Sequence, residues 1–410
     1  MWLHEPIVGH TKFILTKNRI HTMISTFKSI WLALFALFCI VGCSSHTTTN
    51  DTDEANCTNI EISEIKDSVF FSDIIDEYQY IPLSNKNGYL LGEIYQIIIS
   101  HERIYVSSDG VFCFDMKGNP IFKINDKGGK KSEIIKASSI SVEDGILYVY
   151  DEPKRVIHKY NSLDGSFIEN IDLPIAEKDI FRIKDRFIVE NIEFPSSSSF
   201  YDGKSRFLIC DNFSDTPQKE YLTDDLYCFP IYGQVTFSDT GVLFSDYFNN
   251  NVYKIDNKGC HLSYHINFKS VKPLPSNFVD DMVKNRTLIA KDNNYQYGLI
   301  NMYENKDYLV GNFQGGTKCH FVYNKKSNTS VTFKRYSSSS YQISSDNFAG
   351  TYNDFFIQVL STEIIMMYKK AIGFGDNLPS NHPDFQKQRI LMKHTDDDNP
   401  IIILYKFKNF

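Results

Sequence analysis

Between residues 94 and 171 the chain runs in short apolar bursts, broken every few positions by Gly, Asp or Asn. Ile94–Ile99, Arg103–Val106, Val111–Asp115 and Pro120–Ile124 form one set of four, with turns at Ser100–Glu102, Ser108–Gly110 and Met116–Asn119. A second set follows the same plan: Ala137–Val142, Ile146–Asp151, Val156–Tyr160 and Ser166–Ile171, with turns at Glu143–Gly145 and Asn161–Gly165. Runs of this length, rich in aromatic and β-branched residues, predict strands. The Asp-Gly and Lys-Gly pairs between them supply the left-handed dihedrals that tight hairpins need.

The second strand of each set recurs down the chain as IYV, LYV, FIV, VLF, YLV and FFI. These are centred on Tyr105, Tyr148, Ile188, Leu243, Leu309 and Phe356, at spacings of 43, 40, 55, 66 and 47 residues. Six recurrences predict six four-stranded sheets. A small sheet with two apolar faces must stack on neighbours, and radial stacking leaves only short edges, so the fold class expected is all-β, a six-bladed β-propeller. A two-sheet sandwich or an open solenoid would use the same strands. The ends favour the ring: Pro400–Phe407 is a lone C-terminal strand, and Tyr78–Leu83 precedes the first complete set and is expected to supply the outermost strand of the last blade. The long spacings predict insertions at 193–204, at 272–300 with a short helix over Asn277–Val283, and at 361–400 with a helix over His382–Leu391.

The first sixty residues read differently. Ile30–Gly42 is an apolar run of thirteen, too short for the roughly twenty residues of a spanning helix. Lys12, Lys17, Arg19 and Lys28 precede it, the charge order of an export signal, with Met23 an alternative start. Ile40-Val41-Gly42-Cys43 resembles the lipobox of bacterial lipoproteins. That resemblance implies cleavage before Cys43 and acylation there, and two or more acyl chains hold a membrane where one does not. The expected organisation is a leader over 1–42, a lipidated cysteine and flexible tether over 43–74, and a propeller over 75–410. Ser44 in place of an aspartate points to the outer membrane.

Composition narrows the function classes. A net charge of −7, from 43 basic and 50 acidic residues, gives no nucleic-acid footprint. Beyond Cys39 and Cys43, the cysteines Cys57, Cys113, Cys210, Cys228, Cys260 and Cys319 are widely spaced and form no C-x-x-C pair, which argues against zinc. Neither acidic cluster, Asp51–Glu54 nor Asp396–Asp398, has the spacing of a calcium loop. No G-x-S-x-G, H-E-x-x-H or phosphate-loop pattern occurs. No cofactor and no metal are expected.

Tyr80-Ile81-Pro82-Leu83, Leu91-Gly92-Glu93-Ile94, the stretch from Arg103 to Gly118, and Arg155–Tyr160 resemble the six-bladed β-propeller lipoproteins of Bacteroidetes, relatives in architecture of NHL-repeat proteins. The resemblance covers about residues 75–410 and implies fold and location, with no catalytic motif to carry over. Where such proteins have a G-x-G-P-G-E-Y loop, this chain has Gly128-Gly129-Lys130-Lys131-Ser132-Glu133-Ile134.

Ligand sites on such scaffolds lie on loops around the channel. The second-to-third-strand loops offer Asp151, Arg155, Asp246, Tyr247, Asn250 and Gln314 as ligand-binding candidates, with Asp109, Lys154, Asn249, Asn312 and Lys318 beside them. Aromatic, amide and acidic groups of this kind suit a sugar, although Asp and Asn at turns also satisfy local backbone. His158, seven residues from Asp151, alternates within a strand and reads as a packed side chain rather than a general base. No catalytic residue is assigned. The expected function is a lipid-anchored extracytoplasmic binding or scaffolding module for a glycan or an envelope protein. The alternative is a polysaccharide lyase or glycoside hydrolase using paired channel carboxylates.

Overall fold

The computed structural model describes residues 57–174, 179–190, 205–214, 218–222, 234–238, 241–245, 250–256, 259–269, 297–314, 317–337, 343, 347–371 and 377–410. Six antiparallel sheets make a six-bladed propeller. Blade one is Gln96–Ser100, Arg103–Ser107, Val111–Asp115 and Pro120–Ile124. Blade two is Ser139–Glu143, Ile146–Asp151, Val156–Asn161 and Phe167–Asp172. Blade three is Asp179–Ile183, Arg186–Glu190, Ser205–Cys210 and Gln218–Leu222. Blade four is Gln234–Ser238, Gly241–Ser245, Asn251–Asp256 and Gly259–Phe268. Blade five is Tyr297–Glu304, Tyr308–Gln314, Lys318–Asn324 and Thr329–Phe333. Blade six takes Phe348–Tyr352, Phe355–Leu360 and Ile401–Phe407 and completes itself with Ile75–Pro82 from the N-terminal side. All six second strands fall where the recurrence places them, and the closing strand is the expected one, with Ile81 opposite Ile402.

The core is a set of seams between blades. Tyr105, Cys113 and Phe122 of blade one meet Ile140, Leu147 and Tyr160 of blade two. Ile81, Ile402 and Leu404 of blade six meet Ile97, Ile104 and Phe114 of blade one, which seals the ring. Both faces of each sheet are therefore apolar, and a fully buried Leu, Ile or Phe contributes about 1.5–3 kcal/mol. The closure is further pinned by Asn399, whose amide donates to Ser84 O (3.1 Å) and Tyr89 O (2.7 Å) and accepts from Leu91 N–H (2.8 Å). Gly118, at φ +80°, lets the blade-one turn touch this connection: a Cβ there would lie 2.1 Å from Pro82 O.

Two features differ from the sequence reading. Residues 57–74, assigned above to the tether, lie along the outer rim. Thr58–Ile62 adds a parallel fifth strand to blade four, with Ile60 and Ile62 buried. Lys66 then bridges Phe333 of blade five, Val69–Phe70 pairs in parallel with Tyr336–Ser337, and one helical turn leads into Ile75. Among the described residues the blade-six insertion holds two helices, α1 (Thr362–Ala371) and α2 (Phe385–Lys393), where one over 382–391 was expected. Ile365 and Leu391 bury them in the seam between blades five and six. The expected segments 193–204 and 277–283 lie outside the described residues. Among the described residues no helix is long and apolar enough to cross a membrane.

Candidate functional site

Chain direction alternates from strand to strand, so the turns joining second to third strands and the connections between blades share one face. The first strands start on that face. The first strands of blades one, two and three, of four and five, and of five, six and one lie against each other around the axis. They enclose a cavity of about 360 Å³, lined near the starts of five of them and, in blade five, by Asn301 and Tyr303 from the second half of Tyr297–Glu304. Its polar lining is Gln96, Ser138, Ser139, Asp179, Thr236, Asn301 and Asn347; its aromatic lining is Tyr95, Phe181, Tyr303 and Phe348. Tyr95 stands at 49% exposure, while Tyr303 and Phe348 are buried.

Many of these polar groups tie one blade to the next. Gln96 Oε1 accepts from Ile140 N–H (2.8 Å). Ser139 Oγ donates to Ile180 O (2.9 Å), and Ser141 Oγ accepts from Arg182 N–H (3.0 Å). Thr236 Oγ1 donates to Met302 O, and Asn301 Nδ2 donates to Asn347 Oδ1 (2.8 Å), which Lys318 Nζ also reaches. These bonds fix the cavity wall from blade one to three and from blade four to six, so the site is preformed there, as small-ligand pockets usually are. Asp179 is the one acid among the described lining residues. Among the described residues no three His, Cys, Asp or Glu side chains gather as a metal site requires.

The residues singled out by sequence are distributed differently. Asp151 ends the second strand of blade two on the cavity face, but it is fully buried. Its carboxylate accepts from Ile135 N–H (2.7 Å) and Lys136 N–H (3.3 Å) and sits 3.4 Å from His158 Nε2. Burial alone would raise its pKa, but the bonds from His158 and the two amides outweigh that and hold it below the ordinary carboxylate range. His158 is thus packed, as read from its strand position. Arg155 is exposed at the same turn in a left-handed conformation, φ 55°. Asn250 is half-buried beside the third strand of blade four, where its carbonyl accepts from Ile266 N–H. Asn312 lies within the second strand of blade five and is fully buried, not in a loop, and Gln314 ends that strand. Asp246 and Tyr247 lie outside the described residues. Sequence reasoning missed the cavity lining because it comes from six separate strands, each of which reads locally as an ordinary strand.

The opposite face holds a second cavity, of about 510 Å³, lined by Lys306, Lys326, Lys406 and Lys408 with Asp76, Asp307 and Asp354. Five of its charges pair with each other: Lys306–Asp354 at 2.8 Å, Lys326–Asp307 at 2.9 Å and Lys406–Asp354 at 3.2 Å. Such half-exposed pairs form a solvated surface worth little individually.

Residues 57–406 match the family model described as "Domain of unknown function (DUF4934)". The chain belongs to this family. A crystal structure of a Bacteroides fragilis protein, named for its expected export, is similar to this chain with a TM-score of 0.70 at 17% identity, covering 86% of this chain and 100% of that one. The likeness extends to the fold. A DUF4221-family member from Bacteroides vulgatus is a looser match, with a TM-score of 0.47 at 10% identity over 82% of this chain and 98% of that one. No curated protein matches the chain.

Proposed function

We propose that this DUF4934 propeller is an extracytoplasmic binding module that takes its ligand at the channel mouth. The observation that carries the reading is the preformed cavity of about 360 Å³, with Tyr95 half-exposed at its edge and amides, hydroxyls and, among the described residues, a single acid on its wall. An aromatic platform beside amides and hydroxyls suits a compact, weakly charged, hydroxyl-bearing ring such as a glycan unit. Arg155 and Asn250, on the same face, are the outer contacts for a longer glycan or for an envelope protein. The hydrolase alternative needs two carboxylates about 5–9.5 Å apart, and the described lining supplies only Asp179.

Location belongs to the same proposal. The lipobox-like Ile40–Cys43 and the fold likeness to a protein named for export support export and anchoring at Cys43, with 44–56 as the tether and the outer membrane as the destination. The Bacteroidetes lipoprotein resemblance and its NHL-like architecture are in keeping with this reading.

A glycan array followed by calorimetry tests the binding claim. A sugar that binds the wild type and loses at least tenfold in affinity with Tyr95→Ala or Asp179→Asn supports the reading. Undiminished binding by both variants would move the site elsewhere. For the anchor, mass spectrometry should find a diacylglyceryl-modified N-terminal peptide beginning at Cys43, and Cys43→Ala should release the protein from membranes.

A further inference from the structure

The connection from blade one to blade two, residues 126–138, leads directly into Ser138 and Ser139 of the cavity wall. Blade two holds it from beneath by side chains. Ile135 and Lys136 give their N–H groups to Asp151. Lys154 Nζ donates to Lys130 O (3.1 Å) and Glu133 O (2.6 Å), and Tyr160 OH donates to Ser132 O (2.9 Å). At the centre is His158, with no exposed surface.

The hydrogen-bond inventory around His158 fixes its protons. Asn170 Nδ2 donates to Lys131 O at 2.9 Å, so Asn170 turns its oxygen to the imidazole. Nδ1 then faces two acceptors, Asn170 Oδ1 at 2.8 Å and Lys131 O at 3.1 Å, and must carry a hydrogen. Nε2 faces the Asp151 carboxylate at 3.4 Å. Each nitrogen looks at an acceptor, so the arrangement is complete only when the buried Asp151–His158 pair holds an extra proton, as imidazolium and carboxylate. We infer that this pair is a proton-dependent clasp: protonated, it steadies the Asp151 carboxylate that anchors Ile135 and Lys136 and so fixes the blade-two side of the cavity, and deprotonated, it loosens that anchor.

The surroundings favour this assignment. Tyr160, from the same strand, packs its ring at 6.0 Å. The connection contributes Asp126, Lys131 and Glu133, the last paired with Lys130 at 2.9 Å. The turn contributes Lys154 and Glu152, the latter paired with Lys136 at 3.0 Å. Lys159 and Glu169, from the third and fourth strands, pair with each other at 2.6 Å. Asp151 is the one carboxylate in contact with the imidazole among the described residues. The clasp therefore weakens as pH rises, because a nitrogen lone pair then faces a buried carboxylate.

Hydrogen exchange on the full chain between pH 5 and 8.5, corrected for chemical exchange, tests this directly. The peptide covering 128–138 should lose protection by about tenfold per pH unit above the midpoint, while strand peptides of blade one hold theirs. In His158→Gln the corrected protection should not change with pH. Protection of the wild-type peptide that is constant across the range would overturn the proposal. So would nitrogen chemical shifts showing a neutral His158 ring at pH 5.5, a measurement that decides even if the variant does not fold. The link to the cavity rests on the binding reading above; the clasp does not. Neither readout uses a ligand, so failure here leaves the binding proposal standing, and a silent glycan array leaves the clasp standing.

Discussion

Glu304 and Asp151 are both buried carboxylates at strand ends, on opposite faces of the ring, and they are stabilised by different partners. Glu304 ends the first strand of blade five, away from the cavity. Lys254 of blade four reaches its Oε1 at 2.6 Å; Lys325 and the Tyr264 hydroxyl reach its Oε2, each at 2.6 Å. Burial would raise its pKa, but the two ammonium groups outweigh burial and bring it down to about 2. The same carboxylate, with burial, keeps the Tyr264 phenol protonated. Asp151 has backbone amides and one imidazole instead. Lysines stay charged across the physiological range and an imidazole does not. One face is therefore tied by a carboxylate between two ammonium groups, and the cavity face by a carboxylate against one imidazole.

That contrast can be broken most sharply at Glu304. Glu304→Leu leaves Lys254 and Lys325 facing each other across a seam, and urea unfolding at pH 7 should show a loss of about 3–5 kcal/mol. The acid limb comes next. A carboxyl depressed to about 2 stabilises fully above its unfolded value and loses that contribution as pH falls from there through about 2. Wild-type stability should therefore fall between pH 5 and pH 2 by about 3 kcal/mol more than that of Glu304→Gln. Parallel curves for the two proteins would show that the lysines do not depress this group.

Smaller effects sharpen the comparison. Asp151→Ala strands two loop amides and should cost about 2 kcal/mol, with faster exchange confined to the 128–138 peptide. A loss spread evenly over all blades would contradict a local anchor. Tyr264→Phe removes one donor to Glu304 and should cost about 1 kcal/mol in the same urea assay.

The blades were legible because a short apolar run is a local signal: Tyr105, Tyr148, Ile188, Leu243, Leu309 and Phe356 each centre a second strand without any long-range information. The rim strand Thr58–Ile62 left a fainter trace, two isoleucines alternating in a polar stretch, too short to separate from a linker. Helix α1 could have been found from Ile364, Ile365 and Tyr368, whose one-face spacing packs into the blade-five/blade-six seam. The cavity could not have been found this way, since Gln96, Asp179 and Asn301 converge only after closure. Asp151 looked like a ligand group because a turn acid looks the same whether it faces solvent or a backbone amide.

The ring joins Ile81 to Ile402, positions that leave the ribosome more than three hundred residues apart. Contacts of such sequence separation form late and slowly. The first blade-six strand stays unpaired until Ile401–Phe407 has been made, so the pairing of these two strands is the event that locks the ring.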